Sequence, residues 1–468
     1  MQPHFKDAIL DELASRANVA QFVSFGPDGQ QRFSRLHGFA PNWRFGSVEE
    51  ALEALLDRAP ERRVNIRSFH PDQPQGHEFV YGLTSAEEGR RAINRLSSGG
   101  LFIIANETVD VNDGGVSGVV HGNVMEFSPG GTPRIVESGG IVSVTRDVGH
   151  KILEWVYGFA FDISAQDCVR AEFSLHPVRR GYRSEHAIIW EMHESTDVPS
   201  SPFLVWPNRF SEMLGDKAFG LIVAASLGLK VPRTTVIARA LRPFTFGSAT
   251  GSDVVWLRTC PARPEPGMFP TVRGWTDPFA LLHQAKDSER ISSVLVQHEV
   301  FPQYAGAVLT SSTGELIIEG VAGFGDEFML GRAQPTQLPA SVIDRVQRSH
   351  AALVQQIGSA RAEWAFDGSE LWILQVQPEA ALSTGMTIVP GHAAEEVEFD
   401  VARGLSGLRE LVNLIAGKNV GINLKGCVGM TSHIADVLRR HRIPSRILPA
   451  GSQSDLLDRT QQPVNEMR

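Results

Sequence analysis

Several groups of side chains in this sequence have the types and spacing to act on a phosphate. Near the end, Gly429-Met430-Thr431-Ser432-His433-Ile434-Ala435 delivers an imidazole to an amphipathic segment with Ile434, Val437 and Leu438 on one face and Arg439 and Arg440 on the other. A helix N-terminus favours a bound anion through its free N–H groups and its dipole. An imidazole placed there can attack a phosphoryl group and hold it beside the hydroxyls of Thr431 and Ser432. Upstream, Gly215-Asp216-Lys217 sets a flexible ammonium after a glycine, within reach of a nucleotide's phosphates. Arg258 adds a cation near the end of a β-rich run, Val254 to Cys260. Glu363 and Gln375 flank an Asp367-Gly368 turn on two β-patterned runs. Alternate residues of paired strands point the same way, so these two can converge on one Mg²⁺, which takes oxygen ligands beside substrate phosphates.

The elements that must position these groups follow a recognisable order. The stretch Gly429 to Ala435, with Ile443-Pro444 beyond it, resembles the phosphohistidine motif of the phosphoenolpyruvate synthase and pyruvate phosphate dikinase family, with Val428 and Ile434 as departures. Gly215-Asp216-Lys217 through Gly228-Leu229-Lys230-Val231-Pro232 resembles the opening of that family's nucleotide-binding domain. The run around Arg258, the hinge Gln297-His298-Glu299-Val300, the Gly306 strand and Glu319-Gly320-Val321-Ala322-Gly323-Phe324-Gly325 resemble its later motifs. So do Ala362-Glu363-Trp364-Ala365 and Leu374-Gln375-Val376-Gln377-Pro378-Glu379. The resemblance implies an α+β chain with an ATP-grasp domain over 206–382 and a short histidine domain over 385–450, followed by a tail over 451–468. It further implies ATP and Mg²⁺ as cofactors and nucleotide contacts from Lys217, Arg258, Gln297, Glu299, Val300 and Glu319. Metal binding falls to Glu363 and Gln375, and catalysis to His433, Thr431, Ser432 and Arg258. One departure removes a charge: Gln377 stands where the family has arginine, so Arg361, Arg332 or Arg258 would have to compensate.

Residues 1–200 contain an internal echo of the same order. Val64-Asn65-Ile66-Arg67-Ser68 resembles the Arg258 run, Phe102 to Val109 the hinge, Gly115 to Val120 the Gly306 strand, and Arg170-Ala171-Glu172-Phe173 the Glu363 strand. Arg67 to Glu107 spans 40 residues and Arg258 to Glu299 spans 41. The expectation is a degenerate ATP-grasp-like copy lacking a Lys217 counterpart, with Trp190 in the place of Gln375, that serves as an acceptor or docking domain. An Asp110-Val111-Asn112-Asp113-Gly114-Gly115 loop lacks the later ligands of an EF-hand and reads as a turn cluster.

Composition sets the outer limits. With 468 residues, 42% hydrophobic and 21% charged, the chain is globular and long enough for about three domains. Three cysteines, at 168, 260 and 427, form no disulfide framework and point to a reducing cytoplasm. No apolar run reaches the roughly 18 residues of a membrane span, no leader pattern opens the chain, and a formal charge of −9 opposes general nucleic-acid binding. The expected partners are ATP and a small-molecule phosphoryl acceptor, with a homodimer admitted. No pyruvate-binding barrel fits after His433, so the acceptor is open, as it is among rifampin phosphotransferases, which use similar parts. The reading is an ATP-dependent phosphotransferase that phosphorylates His433 from Mg-ATP and passes the group on. Two alternatives stay open: an ATP-grasp ligase acting through an acyl phosphate, and a non-catalytic nucleotide-binding regulatory protein.

Overall fold

A computed structural model describes residues 6–70, 76–108, 113–130, 136, 139–163, 169–194, 201–263, 271–284, 290–311, 313–378, 386–426 and 428–448. Two compact units emerge, one of Met1–Met213 with Ala240–Phe244, the other of Leu214–Arg239 with Thr245–Arg468. No described helix is long and apolar enough to cross a membrane.

The first unit begins with helix α1 (Lys6–Leu13) and holds strands β1 (Phe22–Phe25), β2 (Gln31–Arg35), β3 (Val64–Phe69), β4 (Gly76–Leu83) and β5 (Phe102–Glu107). They form a sheet in the order β2-β1-β5-β3-β4. Helices α2 (Val48–Arg58) and α3 (Ala86–Ser98) bury Leu52, Leu55, Ile93 and Leu96 with Val23, Ile66 and Ile103 of the sheet in one core. Both begin on a serine cap: Ser47 Oγ accepts from Glu50 N–H and Ser85 Oγ from Glu88 N–H, and each glutamate reaches back to the amide before the serine. A second sheet runs β10-β9-β6-β7-β8, from β6 (Val116–His121), β7 (Val124–Pro129), β8 (Val142–Thr145), β9 (Val169–Arg180) and β10 (Glu185–Glu194), with α4 (Arg146–Tyr157) between β8 and β9. The segment Ala240–Phe244 completes this unit, and the approach is close: a Cβ on Gly114, which has φ +85°, would lie 2.4 Å from the Ala240 carbonyl oxygen. Of the acidic loop Asp110, Val111 and Asn112 lie outside the described residues; Asp113 Oδ1 accepts from Gly115 N–H, as a turn requires, and its Oδ2 meets His176 Nδ1 at 3.0 Å.

After α5 (Arg209–Leu214) comes the second unit, which repeats this plan. Helix α6 (Asp216–Ser226) precedes β11 (Thr234–Ala238), β12 (Phe244–Phe246), β13 (Val255–Pro261), β14 (Thr271–Arg273), α7 (Pro278–Gln284) and β15 (Ile291–His298), and the sheet order is β12-β11-β15-β13-β14. Strands β16 (Tyr304–Thr310), β17 (Leu316–Ala322), β18 (Ala360–Phe366) and β19 (Leu371–Pro378) pair as β17-β16-β18-β19, with α8 (Asp326–Met329) and α9 (Ala340–Ile357) between β17 and β18. Register makes the comparison residue by residue. Arg67 pairs with Ile104 as Arg258 pairs with Leu295, and Gly118 pairs with Phe173 as Gly306 pairs with Trp364. Glycine is required at both: an added Cβ would stand 2.2 Å from Glu126 O at Gly118 and 2.0 Å from Glu319 O at Gly306.

Two expected equivalences shift by one residue. Val64 pairs with Glu107 and Val255 with His298, so Thr108, not Glu107, is the counterpart of Glu299. Glu172 faces Glu191 as Glu363 faces Gln375, because each hairpin skips one residue beside that pair. Glu191 therefore holds the place of Gln375, and Trp190 is the skipped residue of a bulge.

Within the second unit, residues 386–448 build a sheet of their own, ordered β20-β23-β22-β21 from β20 (Thr387–Val389), β21 (Glu395–Asp400), β22 (Val420–Lys425) and β23 (Ser445–Ile447). Strands β21, β22 and β23 are parallel neighbours, joined through α10 (Gly404–Ile415) and α11 (His433–Arg440). Ile434, Val437 and Leu438 bury the apolar face of α11 against Phe399, Leu408, Ile422 and Leu424, as the amphipathic pattern requires. Arg439, expected on the outer face, turns back and donates from Nη1 to Met430 O at 2.8 Å.

Candidate functional site

The sheet carrying β13 and β15 and the sheet carrying β16 to β19 enclose a cleft of about 590 Å³ including its open mouth. At one end Glu299 is 1% exposed. Its carboxylate accepts from Arg273 Nε at 2.6 Å, Arg273 Nη2 at 2.9 Å and Trp256 Nε1 at 2.9 Å, and Arg273 chiefly holds its carboxyl below the usual range. The Glu299 amide is also taken, donating to Val254 O at 2.8 Å, so this residue shapes the cleft wall with its polar groups already engaged. Val300, next along the hinge, lines the cleft and its amide bonds to no described residue. Gln297 is buried, with Nε2 3.5 Å from Thr234 Oγ1.

Arg258 and Glu363 also line the cleft, and further charged groups gather about them. Lys217 is the second residue of α6, whose cap Gly215 has φ +86°; a Cβ there would meet Cys260 Cβ at 2.6 Å, so the turn that presents the lysine admits only glycine. Burial lowers the Lys217 ammonium, Cys260 and Glu363 oppose it, and Arg258 pushes it further down. Arg258 crosses to β19, with Nη1 3.4 Å from Leu374 O, and its Nε is enclosed without a hydrogen-bond partner. Glu363 faces Gln375 across the hairpin, as the strand pattern requires, and Glu363 Oε1 likewise lacks a hydrogen-bond partner. Burial would raise the Glu363 carboxyl, yet Arg361, His433, Arg258 and Lys217 together outweigh it, and it lies below its ordinary value. Arg361, two residues earlier on the same face, is 2% exposed and stands directly opposite Gln377. The cation missing at Gln377 is thus supplied from the facing strand, with Arg361 Nη2 3.5 Å from Glu363 Oε1. Arg332, the other candidate, pairs at the surface with Glu327.

His433 is the first residue of α11, at the expected helix start, and Ser432 is its cap. Burial lowers the imidazole against the attraction of Glu363, which leaves it neutral at ordinary pH. Its Nδ1 is enclosed without a partner. Three of the expected residues make contacts within the protein. The Thr431 hydroxyl donates to Glu319 Oε2 at 2.8 Å, and Ser432 Oγ accepts from Ala435 N–H at 3.4 Å, which leaves the Ser432 O–H able to donate. Glu319, expected on the nucleotide, instead accepts from Met430 N–H at 3.1 Å and Thr431 N–H at 2.8 Å as well. Asp436, Arg440 and Asp216 escaped sequence reasoning. Burial would raise the Asp436 carboxyl, but Arg361 and Arg440 hold it below its usual value. Gln377 bridges the last two, at 3.4 Å from Asp216 Oδ2 and from Arg440 Nη2.

These donors suit Mg²⁺. Glu363 supplies an ionised carboxylate and Gln375 a neutral oxygen on the same face, and Mg²⁺ needs few protein ligands when phosphates provide the rest.

No family model matches the chain, and no curated protein matches it. Among solved structures, similarity is found to the macrocyclase MdnB from Microcystis aeruginosa MRC, at 18% identity over 36% of this chain and 54% of that chain with a TM-score of 0.22. D-alanine-D-alanine ligase from Helicobacter pylori gives 11% over 35% and 51% with 0.24. N5-carboxyaminoimidazole synthetase from Staphylococcus aureus gives 13% over 36% and 45% with 0.22. The chain spans about half the length of these structures. Scores this low carry no argument, so the functional reading rests on the geometry above.

Proposed function

We propose that the second unit is an ATP-grasp enzyme module that binds Mg-ATP in its cleft, and that His433 accepts a phosphoryl group there. The observation that carries this reading is the gathering of two enclosed atoms without hydrogen-bond partners, Arg258 Nε and His433 Nδ1, around the Glu363 carboxylate, with Lys217 and Arg361 beside it. Buried polar atoms without partners are rare and mark places where a ligand supplies the missing bonds. Lys217, Arg258 and Arg361 would neutralise phosphate oxygens; Mg²⁺, when bound, adds charge between the phosphates and Glu363. The neutral imidazole contributes its lone pair to the phosphorus, the bridging P–O bond breaks, and the electrons leave with the nucleotide. The phosphoryl group then passes to a small acceptor, and the first unit, as a second copy of the same plan, is the candidate to bind it.

The test is intact mass after incubation with Mg²⁺ and ATP labelled at the β or γ phosphate. The expected result is an acid-labile adduct in the wild type, identified as phosphohistidine and lost in His433→Ala. A second reading, ligation through an acyl phosphate, is favoured by the bond that the Thr431 hydroxyl donates to Glu319, since it needs Lys217, Arg258, Glu363 and Gln375 but not the His433 segment. Under that reading His433→Ala retains ATP turnover with carboxylic acids and hydroxylamine, and no phosphoenzyme forms.

A further inference from the structure

The two residues before Ser432-His433 are held in an unusual way. Met430 N–H and Thr431 N–H both donate to the Glu319 carboxylate, at 3.1 and 2.8 Å. Met430 O accepts from Arg439 Nη1 at 2.8 Å, and Thr431 O from Arg361 Nη2 at 2.7 Å. Every backbone polar group of this dipeptide therefore ends on a charged side chain, and the Thr431 hydroxyl adds a third donor to Glu319. Charge-assisted bonds of this kind are about twice as strong as neutral ones. Two of the three charges, Glu319 on β17 and Arg361 on β18, belong to the sheet of the cleft, whereas Arg439 belongs to the helix of His433 itself. Space is tight as well: a Cβ on Gly429 would lie 2.7 Å from Phe328 Cε2 and 2.9 Å from Glu319 Oε2.

We infer that Glu319 is a positioning residue: its carboxylate clasps the Met430-Thr431 backbone and fixes His433 at the phosphate end of the cleft, without touching nucleotide. The inference deepens the reading of His433 as phosphoryl acceptor and rests on it for the catalytic consequence. The clasp works by geometry. Small misplacements of a reacting group cost roughly a hundredfold in rate.

Glu319→Ala separates these roles. Expected are unchanged affinity for Mg-ATP by calorimetry, phosphoenzyme formation at saturating ATP slowed roughly ten- to hundredfold, and faster amide hydrogen exchange at Met430 and Thr431. Thr431→Val, which keeps the backbone bonds and loses only the hydroxyl, should show a smaller slowing that Thr431→Ser restores; this variant still decides the question if Glu319→Ala does not fold. Weakened ATP affinity with normal labelling at saturation would make Glu319 a nucleotide ligand and overturn the inference, as would unchanged exchange at both amides. If the wild type forms no phosphoenzyme but exchange still rises in Glu319→Ala, the clasp stands and the phosphoryl-acceptor reading fails.

Discussion

At the scale of single residues, the site turns on an imidazole kept neutral beside a carboxylate kept charged. Burial lowers His433 from 6.5, so its lone pair remains available where an exposed histidine would already be protonated. The sign follows: single-turnover labelling should decline as pH falls, with its midpoint below 6.5. A decline centred at or above 6.5, measured as acid-labile phosphoenzyme over about pH 5 to 8, would contradict the desolvated ring. Sequence spacing already pointed to His433, Lys217, Arg258, Glu363 and Gln375, because glycine turns, a helix start and strand alternation are local signals. It gave no sign of the bonds that tie Glu319 to the His433 segment. The bonds from Glu319 to Met430 and Thr431 join residues 111 and 112 positions apart, and nothing local marks such a pairing. Arg361 was legible as a cation to spare; only the register, which sets it opposite Gln377, gives it a place.

At the scale of elements, the strand pairings explain both the successes and the slips of one residue. Alternation put Glu363 and Gln375 on one face, but a bulge is one unpaired residue with no required type, so the exchange of Trp190 for Glu191 could not be seen before pairing. The first unit consequently retains a facing pair of carboxylates, Glu172 and Glu191, at the positions of Glu363 and Gln375. The glycines at the strand crossings give a direct test. An alanine at Gly306 must push Glu319 O from 2.0 Å, and one at Gly118 must push Glu126 O from 2.2 Å. Each should cost roughly 1–3 kcal/mol by overpacking, read as lowered thermal midpoints. Gly306→Ala alone should also slow His433 labelling, because the displaced strand carries the Glu319 clasp; equal slowing in Gly118→Ala would deny that link.

For the whole molecule, repeated strand orders in two compact units were foreshadowed by the collinear motifs. The units carry separate handles on stability. In the first, Glu107 is 1% exposed and burial pushes its carboxyl from 4.5 up to about 7, against the Gln21 amide that donates to it at 3.2 Å. A raised carboxyl binds its proton more tightly folded than unfolded, so its contribution is complete below 4.5 and disappears as pH rises through about 7. Glu107→Gln should therefore stabilise the first unit at about pH 8 by up to roughly 3 kcal/mol and do little at about pH 4. In the second unit, Mg-ATP should raise the unfolding midpoint by mass action. Calorimetry in which Glu107→Gln shifts one transition and Mg-ATP another would show the units unfolding as independent bodies; a single transition moved by both would show them unfolding together.

The strand of chain from Ala240 to Phe244 that closes over Gly114 has a consequence for biosynthesis. The amino-terminal unit is discontinuous, so on the ribosome it waits for a piece encoded after the start of the next one. Domains usually fold as they emerge, in order. Here the leading module leaves the exit tunnel unfinished while its near-twin is already being made, the circumstance in which similar strands can pair with the wrong partner. A gene fragment ending at residue 213 would make that incompleteness permanent.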